Sequence, residues 1–181
     1  DIEQPDTAKT AMDWFAAKLK ETNKTLNEQF KTYRISEALM TVYRLFWDEF
    51  SAWYLEMVKP AYVDGQAQPI DEKTYKATLH FFETLLQMLH PFMPFITEEL
   101  WQHLDTRKEG ESIMVSQLHL DEPTADDEQL CAAIENVKLI VAGVRSVRSQ
   151  KQIAPKKELE LQVVGENHYA SFADVIAKMA N

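Results

Sequence analysis

Apolar residues recur every three or four positions along most of this 181-residue chain, the spacing of helices that bury one face. Ala8, Ala11, Phe15, Leu19, Leu26 and Phe30 predict a helix over 7–31 with Thr7 as its N-cap, leaving Lys18, Lys20, Glu21 and Lys24 to solvent. Ile35, Leu39, Val42, Phe46, Phe50, Trp53 and Met57 form one stripe over 33–58. Tyr43, Trp47 and Tyr54 widen that stripe, which makes this the expected central helix, and Pro60 stops it. Asp64, Gly65 and Pro69 mark a loop. A third helix starts near Asp71 and carries Tyr75, Leu79, Phe82, Leu86 and Leu89. A short fourth spans about 94–104, and a fifth, about 126–150, carries Leu130, Ile134, Val137, Val141 and Val144. β-Branched residues lose rotamer freedom in a helix, so the fifth depends on packing.

The third and fourth helices meet at His90-Pro91-Phe92-Met93-Pro94-Phe95-Ile96-Thr97-Glu98-Glu99-Leu100-Trp101. Two prolines three residues apart cannot lie inside one helix. Pro91 ends the incoming helix, and Pro94 suits the start of the next, where a missing N–H costs nothing. Thr97 is an alternative N-cap for a later start, with Glu98 and Glu99 in the first turn. Phe92, Met93, Phe95 and Ile96 leave no polar gap, which predicts a rigid corner packed in the core. Ile113-Met114-Val115 reads as extended, and acidic residues from Asp121 to Glu128 read as a boundary. After Pro155 the period changes to two. Leu159, Leu161 and Val163 alternate with Glu158, Glu160 and Gln162, so 158–164 is expected to be a strand closed by Gly165. Tyr169, Phe172, Ile176 and Met179 return to helical spacing.

Composition narrows the chemistry. A single cysteine, Cys131, excludes an internal disulfide and a cysteine zinc site, and a reducing cytoplasmic setting follows as the default. No apolar run has the length to span a membrane. The five histidines show no i, i+4 pair, and no Glu-x-x-His motif occurs. His90 is expected to be a hydrogen-bonded structural residue. No phosphate-binding glycine loop is present, and no catalytic residue or metal ligand is assigned. The aromatics Phe46, Trp47, Phe50, Trp53 and Tyr54 are assigned to core by their helical spacing. The net charge of −10 opposes nucleic acid as a whole. Residues 138–157, however, hold six basic residues and no acid. Within them Arg145, Arg148, Lys151, Lys156 and Lys157 form the candidate phosphate-binding patch. Arg145 and Arg148 share a helix face, and the lysines flank Pro155.

The corner sequence resembles that of the anticodon-binding helical domain of class I aminoacyl-tRNA synthetases, closest to the valyl form. Phe46-Trp47-Asp48-Glu49-Phe50, then Trp53-Tyr54-Leu55-Glu56 and Lys59-Pro60, resembles that family's second long helix. Ser112-Ile113-Met114-Val115 resembles a short piece after the corner. The similarity runs from about Trp14 to the end. It implies a mainly α fold: an anticodon-binding helix bundle over 1–125, with a helix and a truncated strand–helix unit over 126–181. It implies that the chain holds the anticodon stem-loop of a valine-specific tRNA beside the catalytic domain of a longer parent. That parent would use ATP and Mg2+, while the ATP-binding signatures are absent here and no cofactor is expected in this segment. Neither membrane nor DNA is an expected partner. Within the resemblance the isoleucyl relative is the alternative. From the residues alone, a helical protein–protein adaptor remains open.

Overall fold

The computed structural model describes residues 2–60, 62–63, 65–154, 157–162 and 169–180. Helix α1, Asp6–Lys31, begins one residue before Thr7. Pro5 takes the cap position, and its carbonyl accepts from the N–H groups of Ala8 and Lys9. The buried positions of α1 step by three and four from Ala8 through Ala11, Phe15, Leu19, Thr22 and Leu26 to Gln29, so the inferred period holds as far as Leu26, while Phe30, expected in the stripe, is exposed. Its C-terminus closes with the Arg34 N–H on the Gln29 carbonyl at 2.8 Å and the Tyr33 N–H on the Phe30 carbonyl at 3.0 Å. This closure puts Tyr33 in the left-handed region at φ 58°, a position usually given to glycine.

The central helix is continuous from Ile35 to Val58 but changes its winding. It is α-helical over Ile35–Arg44 (α2), π-helical over Leu45–Tyr54, and α-helical again over Leu55–Val58 (α3). Its buried residues are Ala38, Val42, Leu45, Phe50, Tyr54, Met57 and Val58. The one interval of five in that series, Leu45 to Phe50, falls in the π-helical stretch, whose hydrogen bonds run i to i+5. The wider winding carries the buried stripe from Leu45 to Phe50, while Trp47 continues the outward series Ile35, Leu39 and Tyr43 at steps of four. Trp47, expected in the core, is 61% exposed, and Ile35, Leu39 and Tyr43 also face outward. The loop after Pro60 contains a two-residue antiparallel hairpin, β1 Tyr62–Val63 with β2 Gln66–Ala67. Gly65 turns it at φ 79°.

Helix α4, Glu72–Leu89, is capped by Asp71, whose carboxylate accepts from the Thr74 N–H at 2.8 Å. It buries Thr74, Phe81, Leu85 and Met88, while the expected core residue Tyr75 is exposed. Helix α5, Pro94–Leu104, starts with Pro94 at its first turn, as the proline spacing requires. The corner itself is not buried: Met93, Phe95 and Ile96 are exposed, Phe95 by 89%. Helix α5 turns Thr97 and Trp101 inward, and Trp101 joins Leu86 and Ile113 in a small second cluster. Phe95 and Ile96 therefore fall on the other side. Phe92 alone is held, half-buried and stacked on Phe30 at 5.9 Å. Residues Ile113–Val115 form a 3-10 turn, not an extended segment.

Helix α6, Ala125–Gln150, opens with a capping box in which Thr124 and Asp127 bond reciprocally. Asp127 meets Lys20 at 3.1 Å, and the Lys138 ammonium lies 4.9 Å above the Trp14 ring. That order makes α6 antiparallel to α1. Cys131, Ile134, Val137 and Val141 enter the core formed by α1, the central helix and α4, so the helix that opens the 126–181 region is part of that core. The β-branched content of α6 thereby finds the packing it needs. The expected strand at 158–164 is not formed over its described part: 158–162 is neither strand nor helix, and Val163 and Val164 lie outside the described residues. A strand needs a ladder partner, and no segment among the described residues supplies one. Helix α7, Ala173–Met179, preceded by the 3-10 turn Ala170–Phe172, buries Phe172, Val175, Ile176 and Met179 against the same core.

Candidate nucleic-acid interface

The basic run divides when its side chains are traced. Lys138 points inward, bonded to Glu49 and Glu135. Arg145 donates from Nε and Nη2 to the Met179 carbonyl at 3.0 and 2.6 Å, which neutralises the C-terminal end of α7. Arg148 is only 8% exposed. Its Nη1 donates to the carbonyls of Ala154 and Lys157 at 3.2 and 3.0 Å. Arg145 and Arg148 thus do not present one outward face: burial and carbonyl bonding spend Arg148 on the loop that follows α6. That loop turns through Gln152 at φ 52°, with the Ile153 N–H on the Arg148 carbonyl. Lys151 and Lys157 are exposed on it. Lys156 lies outside the described residues.

Because α6 is antiparallel to α1, this loop sits at the N-terminal end of α1. The exposed aromatic residues collect elsewhere. Tyr33 is 87% exposed after α1. The corner with Phe95 is brought to the same end by the Phe30–Phe92 stack. A 26-residue α1 is about 39 Å long at 1.5 Å per residue, so roughly that length separates the two ends. On the central helix, two and three turns after its start at Ile35, Tyr43 and Trp47 stand outward with Arg44 between them in sequence. Reading the residues alone missed this face. Trp47 follows Ile35, Leu39 and Tyr43 at steps of four, on an outward flank that the apolar stripe was read too broadly to exclude.

Other polar groups have structural work. His90 Nδ1 and the Thr97 hydroxyl are 2.7 Å apart, as expected for a structural histidine. Glu98 and Glu99 lie beyond the first turn of α5 because that helix begins at Pro94. Glu98 accepts from Ser112 Oγ at 2.6 Å, Gln102 Nε2 at 2.7 Å and the Ile113 N–H at 3.2 Å, pinning the following loop. The bonds from Gln102 and Ser112 hold its carboxyl below the usual range. Lys178 donates to the carbonyls of Met57 and Lys59 at 2.7 and 2.8 Å, closing the end of the central helix. Desolvation lowers its pKa. Burial pushes the Cys131 thiol up to about 12, which leaves little thiolate for nucleophilic chemistry. Among the described residues no three His, Cys, Asp or Glu side chains are grouped to hold a metal. No described helix is long and apolar enough to cross a membrane.

Residues 13–163 match the family described as the anticodon-binding domain of tRNA ligase. The chain is 56% identical, over its whole length, to the valine–tRNA ligase of Phocaeicola vulgatus, of which it covers 20%. It is 56% identical to that of Parabacteroides distasonis over 99% of the chain and 20% of the relative. It is 36% identical to that of Coxiella burnetii over 87% of the chain and 17% of the relative. The chain therefore spans about a fifth of the curated relatives it matches. A mainly helical bundle, a basic loop at one end and a family match across most of the chain agree: this chain belongs to the anticodon-binding domains of tRNA ligases.

Proposed function

We propose that this chain grips the anticodon stem-loop of a valine-specific tRNA, as part of a longer enzyme that ligates valine to that tRNA. The single observation that carries the reading is the family match over 13–163, joined by valine–tRNA ligases at up to 56% identity. ATP and Mg2+ belong to the longer enzyme's reaction. No step of that reaction is assigned to this chain. The partner within the parent is its catalytic part, and the setting is the cytoplasm. The division into 1–125 and 126–181 is one of topology, since α6 shares the core of the first part.

Phosphate contact falls to Lys151 and Lys157, the exposed charges of the basic loop, with Lys156 between them in sequence. Arg145 and Arg148 act through their carbonyl bonds: Arg145 ties α7 to α6, and Arg148 ties the loop back to α6. An acidic protein that takes an anionic partner has to gather its positive charge locally. These contacts position RNA without reading its sequence.

The test is the affinity of the chain for a tRNA anticodon hairpin across a salt series. Reversing Lys151 and Lys157 to Glu is expected to flatten the log–log salt dependence by about one unit per lost contact, with the circular dichroism spectrum unchanged. Equal affinities and equal slopes refute the assignment of the loop. Absence of salt-sensitive hairpin binding by the unaltered chain refutes the RNA reading and favours a protein–protein role.

A further inference from the structure

We propose that Tyr43, Arg44 and Trp47 form a stacking platform for unpaired RNA bases; this rests on the RNA-binding reading above and goes beyond it by naming the surface. Tyr43 and Trp47 lie four residues apart on the central helix and are 53% and 61% exposed. They continue an outward stripe with Ile35 and Leu39, which are 47% and 38% exposed. An aromatic pair held this far out of a core is unusual on a helix that buries Val42, Leu45, Phe50 and Tyr54 at 0–4% exposure.

Arg44 gives the face its chemistry. The other four arginines are engaged: Arg34 with Glu37, Arg107 with Glu83, and Arg145 and Arg148 with backbone carbonyls. Arg44 makes no ion pair or hydrogen bond among the described residues. Asp48, four residues on, forms no ion pair with it among the described residues. The result is a guanidinium free to reach a phosphate or to lie flat on a base, beside two aromatic rings. Purely apolar exposure would fit a protein helix equally well. An unpaired arginine set between aromatics matches the combination of π-faces and local positive charge that single-stranded nucleic acid uses. The acids nearest in sequence are Glu37, already paired with Arg34, and Asp48.

Trp47 also provides the readout. Trp14 and Trp101 are 0% and 6% exposed, and Trp53 is half-buried, so a base that stacks on the surface quenches chiefly Trp47. The experiment titrates the chain with a seventeen-nucleotide hairpin carrying a seven-base loop, with a blunt duplex of the same stem, and with the hairpin made abasic in its loop. The expected result is fluorescence quenching by the intact hairpin alone. Trp47→Ala and Tyr43→Ala should each weaken hairpin binding by roughly 5- to 150-fold, the range for loss of one stacked base, and leave duplex binding unchanged. Arg44→Lys should lose part of the affinity although the charge is kept. Hairpin binding that survives Trp47→Ala and Tyr43→Ala at full strength overturns the platform while the RNA-binding reading stands. No hairpin binding by the unaltered chain overturns both. If Trp47→Ala instead converts a self-associated chain to monomer without changing RNA affinity, the stripe is a protein seam and the platform is refuted.

Discussion

Phe50 and Trp47 share one helix, three residues apart, and their truncation separates the structure's account of this helix from the one its period implies. Phe50 is 4% exposed. Its ring lies 5.3 Å from Phe15, 5.4 Å from Tyr54, 6.0 Å from Phe46 and 6.2 Å from Phe82. Truncating such a residue removes its transfer free energy and leaves a cavity that four packed neighbours cannot close, a cost of about 3–5 kcal/mol. At about 2–4 °C per kcal/mol for a chain of this size, Phe50→Ala should lower Tm by about 6–20 °C. Trp47 is 61% exposed and has no aromatic partner among the described residues. Trp47→Ala should therefore stay within about 0.5 kcal/mol, the range for ordinary surface changes, or under about 2 °C. Urea unfolding followed by far-UV circular dichroism measures both, with an unchanged m-value as the condition for comparison. Equal losses from the two substitutions would refute the outward placement of Trp47 and restore it to the core.

Four further outcomes are expected. Asp127→Ala removes the acceptor of the Thr124 N–H at 2.8 Å and the partner of Lys20, and should cost about 1–2 kcal/mol in urea unfolding. The Glu98 carboxyl is held below its ordinary range by Gln102 and Ser112, so its contribution is complete above the unfolded-state value and is lost as pH falls through the lower folded-state value. Glu98→Gln should accordingly flatten the acid limb of a stability–pH curve, and an unchanged limb would refute that role. Gln152→Gly relieves about 1–2 kcal/mol of left-handed strain against about 0.5–1 kcal/mol of added chain entropy. A net gain of about 0.5 kcal/mol in chemical unfolding is expected, and a loss would contradict the φ of 52°. Lys178→Met frees the Met57 and Lys59 carbonyls at the end of the central helix and should cost about 1 kcal/mol, read from the shift in urea midpoint.

Local rules explain what could be read without coordinates. The limits of α5 and α6 follow from Pro94 at a first turn and from the Thr124–Asp127 reach-back, both decided within four residues of chain. The Asp71 cap of α4 and the stop before Pro60 are equally local. The helical class and the family resemblance were legible because period and motif are properties of the chain itself. Exposure of the corner was not, since Phe95 and Ile96 are apolar wherever they lie, and only the rotation of α5 that buries Trp101 puts them outside. A strand could be read from the alternation at 158–162, but a ladder needs a second segment, and none lies beside it among the described residues. For the candidate interface, the run from Arg145 to Lys157 showed where positive charge gathers along the chain. Which charges are free was decided by carbonyls: Met179 engages Arg145, which stays exposed, and Ala154 and Lys157 take the buried Arg148. Trp47 stands outward because packing buries only one flank of a broad apolar stripe, the side of Val42, Leu45 and Phe50. The phase of a helix face depends on its winding, and here winding and packing were settled together, with Phe50 and Tyr54 seated against Phe15 and Phe81.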